Sequence, residues 1–89
     1  MIPLCRIPSH PGEILRHEFL IPKKMAQVEL AQKMGVSVQG VNALVNRKRS
    51  MTANMAILLS RVLGTTPEYW MSVQSGYALA LARKHLDLA

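Results

Sequence analysis

The sequence predicts an all-α fold, a compact bundle of five helices in one domain. Three observations lead there. Apolar residues recur at three- and four-residue spacing between the breakers, which is the period of a helix face. The breakers Pro11, Pro22, Gly35, Gly64 and Pro67 cut the chain into helix-sized pieces and leave little room for strands. The chain has 89 residues, enough for a single modest core but not for two. No internal repeat or low-complexity linker interrupts it.

His10-Pro11-Gly12-Glu13 opens the first helix, because proline is tolerated at a helix start and an early acid suits the helix dipole. Ile14, Leu15, Glu18, Phe19 and Leu20 continue it, and Pro22 is expected to end it. Lys23 to Met25 connect to the twenty residues from Gln27 to Asn46. There Val28, Leu30, Ala31 and Met34 give a second helix an apolar face. Gly35 supplies a positive-φ stop, Val36 plugs the turn, and Ser37 stands at an N-cap position. Val38, Val41, Leu44 and Val45 then face one way on a third helix. Two short helices, a glycine turn and a small Ala31 at the crossing have the spacing of a helix-turn-helix. Its second helix projects and fits the major groove of B-DNA. Thr52 caps a fourth helix through Met55, Ala56, Leu58, Leu59, Val62 and Leu63 to a stop at Gly64. Thr66-Pro67-Glu68 starts the fifth, which carries Tyr69, Trp70, Val73, Tyr77, Leu79, Leu81 and Ala82 and is expected to loosen at Gly76. Residues 1–9 read as an N-terminal arm, and residues 10–89 as a DNA-binding and dimerisation domain.

Eleven Lys and Arg against five Asp and Glu give a net charge of +6, which suits a polyanionic partner. Many small soluble proteins are basic, so charge alone decides little. An aromatic content of 4% argues against sheets that stack single-stranded bases. The lone Cys5 forms no internal disulfide, consistent with a reducing cytoplasm, where the chain is expected to act. The opening MIPLCRIPSH, with two prolines and no sustained apolar stretch, makes a poor signal peptide. No apolar run reaches the ~18 residues of a membrane span. His10, His17 and His85 are separated and lack partners at metal-ligand spacing. Glu13 and Glu18 diverge on one helix, and no glycine-rich phosphate loop is present. No catalytic residue, metal or cofactor is therefore expected. Met25, Met34, Met51, Met55 and Met71 suggest adaptable packing.

On the third helix, Gln39 and Asn42 carry amides that can pair with adenine N6 and N7, and Ala43 can meet a thymine methyl. Gln27, Ser37, Arg47, Lys48 and Arg49 are expected at phosphates, the last three where the chain leaves the groove. The bland alternative for all of these is an ordinary solvated position. Tyr69, Val73 and Tyr77 are expected at a dimer contact, with Trp70 inside the core.

The string His10-Pro11-Gly12-Glu13-Ile14-Leu15, with Ala31, Gly35-Val36-Ser37, Val45-Asn46 and Leu63-Gly64-Thr65-Thr66-Pro67-Glu68-Tyr69-Trp70, resembles the HigA-type antitoxins. These are the VapI-like branch of the phage-repressor (Xre, Cro/cI-like) helix-turn-helix proteins. The resemblance spans roughly Pro8 to Arg83. It implies a lambda-repressor-like bundle, neutralisation of a HigB-type, RelE-like RNA-cleaving toxin, and repression of the chain's own operon as an operator-bound dimer. Two further functions stay open: a toxin-inhibiting interaction module with little operator specificity, or a stand-alone regulator. Relatives often carry a long polar residue at the start of the reading helix, where this chain has Val38 and Gly40. Glycine within a helix costs roughly 0.5–1 kcal/mol against alanine and offers a base no side chain, although it permits close approach of backbone to DNA. Ala26 forgoes an N-cap worth about 1 kcal/mol.

Overall fold

The buried imidazole of His10 starts the first helix. In the computed structural model, which describes residues 8–86, its Nδ1 accepts the Gly12 N–H at 2.9 Å and caps α1 (Pro11–Ile14). Most of the expected arm, Cys5 included, lies outside the described residues.

The first helix is not the regular α-helix expected from His10 to Pro22. α1 passes directly into a π-helical segment, Leu15–Leu20, followed by a turn over residues 21–24. Ile21 N–H bonds the Arg16 carbonyl and Met25 N–H the Leu20 carbonyl, each five residues back and each at 2.9 Å. The reason is burial. Leu15 and Leu20 both belong to the core, yet five α-helical residues would set them about 140° apart. Closure over five residues brings them toward one face.

α2 (Gln27–Met34) ends at Gly35, whose φ of 74° lets Val36 N–H reach the Ala31 carbonyl at 3.0 Å. Its N-cap, Ala26, makes no side-chain bond. α3 (Val38–Val45) is capped by Ser37 Oγ, which accepts the Gly40 N–H at 3.2 Å. α4 (Ala53–Leu63) runs from a Thr52 cap to Gly64, again at φ 74°. α5 (Pro67–His85) starts at Thr66, whose Oγ1 accepts the Tyr69 N–H at 3.1 Å. Gly76 does not interrupt α5, contrary to expectation. Counting α1 and its π continuation as one, the described residues form five helices and no strand.

The core gathers Leu15, Leu30, Val41, Leu44, Leu59 and Trp70 from all five helices. Trp70 is fully enclosed, donates from Nε1 to Thr65 Oγ1 at 2.7 Å, and packs beside the Phe19 and Tyr69 rings. Two expected core residues stand outside: Val28 is 53% exposed and Val38 38%. On α2 the inner face of Leu30, Ala31 and Met34 leaves Val28 about 110° away. The half-buried Gln27 takes that inner position instead. Val38 opens α3 at the edge of its inner face.

Candidate nucleic-acid interface

Val41, Leu44 and Val45 bury one face of α3, so Gln39, Asn42, Ala43 and Asn46 share the opposite one. Gln39 and Asn42 are exposed and Ala43 is half-buried. Asn42 does not stand alone. Its Nδ2 donates to Gln27 Oε1 at 3.1 Å, and its Oδ1 accepts from Asn46 Nδ2 at 3.1 Å. This chain of amides joins the first turn of α2 to the C-cap of α3. Asn42 keeps a second N–H and a second lone pair for a base, and Gln27 keeps its own NH2 for a phosphate oxygen. Asn46 was missed by sequence reasoning; the available signal was its position one turn after Asn42.

Ser37 spends a lone pair on the α3 cap, and its hydroxyl hydrogen remains to donate. The cations beyond α3 differ sharply from one another. Arg47 sits at φ 62°, a left-handed conformation usually left to glycine. That conformation closes α3, with Arg47 N–H on the Leu44 carbonyl at 3.0 Å and Lys48 N–H on the Ala43 carbonyl at 2.8 Å. The Arg47 guanidinium pairs with Glu13 at 2.7 Å. Lys48 is exposed and takes part in neither ion pair among the described residues. Arg49 folds back over α3, where its Nη1 lies 3.1 Å from the place a Cβ on residue 40 would occupy. Gly40 therefore does not leave bare backbone for DNA to approach, because the Arg49 side chain occupies that side of the helix.

The His10-Pro11-Gly12-Glu13 segment, read in the sequence as a helix start, is also the seat of α3. A Cβ on Gly12 would overlap the carbonyl oxygen of Leu44, so α1 packs backbone-to-backbone against the last turn of α3. Glu13 holds Arg47. His10 is 4% exposed, with one ring nitrogen on Gly12 and the Arg49 backbone nearby, while Tyr77 of α5 meets it edge-on at 4.9 Å. Burial holds the His10 pKa below its ordinary 6.5; the nearby Arg47 charge lowers it too, against Glu13 and the Arg49 backbone. Three elements thus meet at His10: α1, the loop leaving α3, and α5.

The expected dimer residues divide. Tyr69 is 42% exposed, Val73 is half-buried, and the half-buried Tyr77 is turned onto His10 of its own chain. Met71, Leu79, Leu81 and Leu86 expose further apolar surface along α5 and its end. No helix among the described residues is long and apolar enough to cross a membrane.

A projecting helix with an amide face, cations at its exit and a second helix braced across it define a DNA-binding helix-turn-helix protein. The helix-turn-helix family profile matches residues 17–70. The chain belongs to that Xre-type family, in its HigA- and VapI-like branch. It is 37% identical over 75 residues to virulence-associated protein I of Dichelobacter nodosus, covering 84% of this chain and 69% of the relative. It is 42% identical over 69 residues to antitoxin HigA-1 of Vibrio cholerae, covering 78% and 65%. Among solved structures, the Pseudomonas aeruginosa antitoxin HigA, determined with the higBA promoter, superposes with a TM-score of 0.85 at 44% identity, over 88% of this chain and 85% of that one. The chain spans about two thirds of the length of these curated relatives.

Proposed function

We propose that this chain is the antitoxin of a type II toxin–antitoxin pair, which neutralises a HigB/RelE-like RNA-cleaving toxin and represses its own operon as a DNA-bound dimer. The observation that carries the DNA half is the hydrogen-bonded amide face of α3, Gln27 to Asn42 to Asn46, on a chain 44% identical to an antitoxin solved with its promoter. Gln39, Asn42 and Ala43 meet base edges. The Gln27 amide, the Ser37 hydroxyl, Arg47 and Lys48 meet phosphates, with Arg49 beside them. Residues 10–89 form the DNA-binding and dimerisation domain. Tyr69 and Val73 lead the dimer contact, with Tyr77 at its inner edge, and two-fold symmetry sets the paired reading helices ~34 Å apart. The protein acts in the cytoplasm, by binding and not by catalysis.

The test is a fluorescence-anisotropy titration against a duplex from the chain's own upstream region and a scrambled duplex, at two salt concentrations. Preference of at least ~10³-fold that survives physiological salt supports the repressor. Equal, salt-sensitive binding to both duplexes replaces it with a toxin inhibitor that has little operator specificity. Operator preference without an adjacent toxin gene gives a stand-alone regulator.

A further inference from the structure

We propose that Arg49 reads a guanine edge in the major groove, from a seat that Gly40 leaves open on the flank of α3. The assignment rests on the DNA-binding function above. It changes the part played by Arg49 from a phosphate anchor to a determinant of sequence.

The first reason is position. A Cβ on residue 40 would lie 3.1 Å from Arg49 Nη1, 3.6 Å from Ser37 Oγ and 4.0 Å from Met55 Cε. The guanidinium is thus laid over the first turn of α3, beside its cap, although Arg49 lies beyond the end of that helix. In a helix-turn-helix the first residues of the second helix are the ones that meet base edges. Gly40 sits about 100° around α3 from Gln39. Gln27 approaches the opposite flank, where it bonds Asn42. The reading face is therefore framed by an amide from α2 on one side and a guanidinium from the loop on the other.

The second reason is what α3 lacks. Its first turn offers Val38, Gln39 and Gly40, so Gln39 is the only side chain there able to hydrogen-bond a base. Arg49 brings to that end the planar fork that matches guanine O6 and N7, the commonest specific contact to a base pair. A side chain at position 40 would crowd it out, which gives the glycine a reason despite its cost to the helix.

The third reason is preorganisation. The Arg49 backbone lies beside the buried His10 ring, and Arg47, two residues before, pairs with Glu13 at 2.7 Å. Two residues after Arg49, Met51 N–H donates to Gln74 Oε1 of α5 at 2.7 Å. Arg47 is tied to Glu13, whereas Arg49 belongs to neither ion pair among the described residues. The loop is pinned on both sides of a guanidinium whose charge is not spent on a carboxylate.

The experiment titrates the full chain with its upstream duplex, with variants of that duplex in which each G·C pair is replaced in turn by A·T, and with a scrambled duplex. Wild type is compared with Arg49→Ala, Arg49→Lys and Gly40→Ala, each checked for unchanged helicity by circular dichroism. The expected result is an Arg49→Ala protein that binds the operator about 10- to 100-fold more weakly and becomes indifferent to one G·C replacement that costs wild type a similar factor. Arg49→Lys, which keeps the charge and loses the fork, shows the same indifference. Gly40→Ala, a better helix former, also loses preference at that base pair. Equal losses on operator and scrambled DNA for Arg49→Ala, with a salt slope smaller by about one, would make Arg49 a phosphate anchor and overturn the assignment alone. A wild type that binds operator and scrambled duplex equally overturns the operator reading, and this assignment with it.

Discussion

At the scale of single residues, Arg47 shows function and stability pulling in different directions. A non-glycine residue in the left-handed region costs of order 1–3 kcal/mol, and its exposed pair with Glu13 returns only ~0–1 kcal/mol. Arg47→Gly is therefore expected to leave the melting temperature unchanged or raise it. The same change weakens binding to every DNA sequence and reduces the salt slope by about one. A melting temperature that falls by many degrees would show that the Glu13 pair outweighs the strain. Asn42→Ala should act differently, costing ~1–3 kcal/mol on the operator and relaxing one base position. Equal losses on operator and random DNA would remove Asn42 from base reading. His10 predicts a pH dependence. Burial lowers its pKa in the folded chain below the ordinary 6.5, so the unfolded chain binds the proton more tightly. Its stabilising contribution is complete above about pH 6.5 and is lost as pH falls through the lowered folded value. Thermal melts from pH 7.5 to 5.0 should show that decline. His10→Asn keeps a capping acceptor without the titration and should flatten it; an unaltered slope would assign the effect to another group.

At the scale of elements, the junction of α1 with α3 decides how rigidly the reading helix is presented. Gly12→Ala drives a methyl into the Leu44 carbonyl and should cost at least about 1–3 kcal/mol. Each kcal/mol lowers the melting temperature of a chain this size by roughly 4–8 °C. A neutral Gly12→Ala would mean that α1 can slide along α3 and that the seat is loose. This junction also marks where sequence reasoning stopped. Helix caps were legible because they are local: Ser37, Thr52 and Thr66 each bond an N–H three residues on. Glycines at Gly35 and Gly64 were legible for the same reason. The wider role of His10-Pro11-Gly12-Glu13 was not, since Glu13 meets a partner 34 residues away and Gly12 matters through a carbonyl on another helix. The π segment was hidden too, because spacing over Leu15 and Leu20 fits either helix type until the shared core is known. On the site, the amide and basic residues could be picked out by type and position. The amide bonds depend on how α2 packs across α3, and the return of Arg49 over Gly40 follows the turn made at Arg47.

At the scale of the whole molecule, the five helices enclose one core, and the two surfaces of interest lie on different helices. α3 and its exit loop carry the amides and cations, while α5 exposes Tyr69, Met71, Leu79 and Leu81. A dimer through α5 would bury apolar area and pair two reading helices in one act. Tyr69→Lys is expected to shift sedimentation equilibrium toward monomer and to weaken operator binding with no change in helicity. A dimer unaffected by that change would place the interface elsewhere. Sequence-specific binding to DNA is the property that both surfaces serve. The most direct test is the anisotropy titration of the intact chain with its upstream duplex beside a scrambled one. Preference of ~10³-fold or more at physiological salt is the predicted result. Equal affinities that collapse together as salt rises would contradict it.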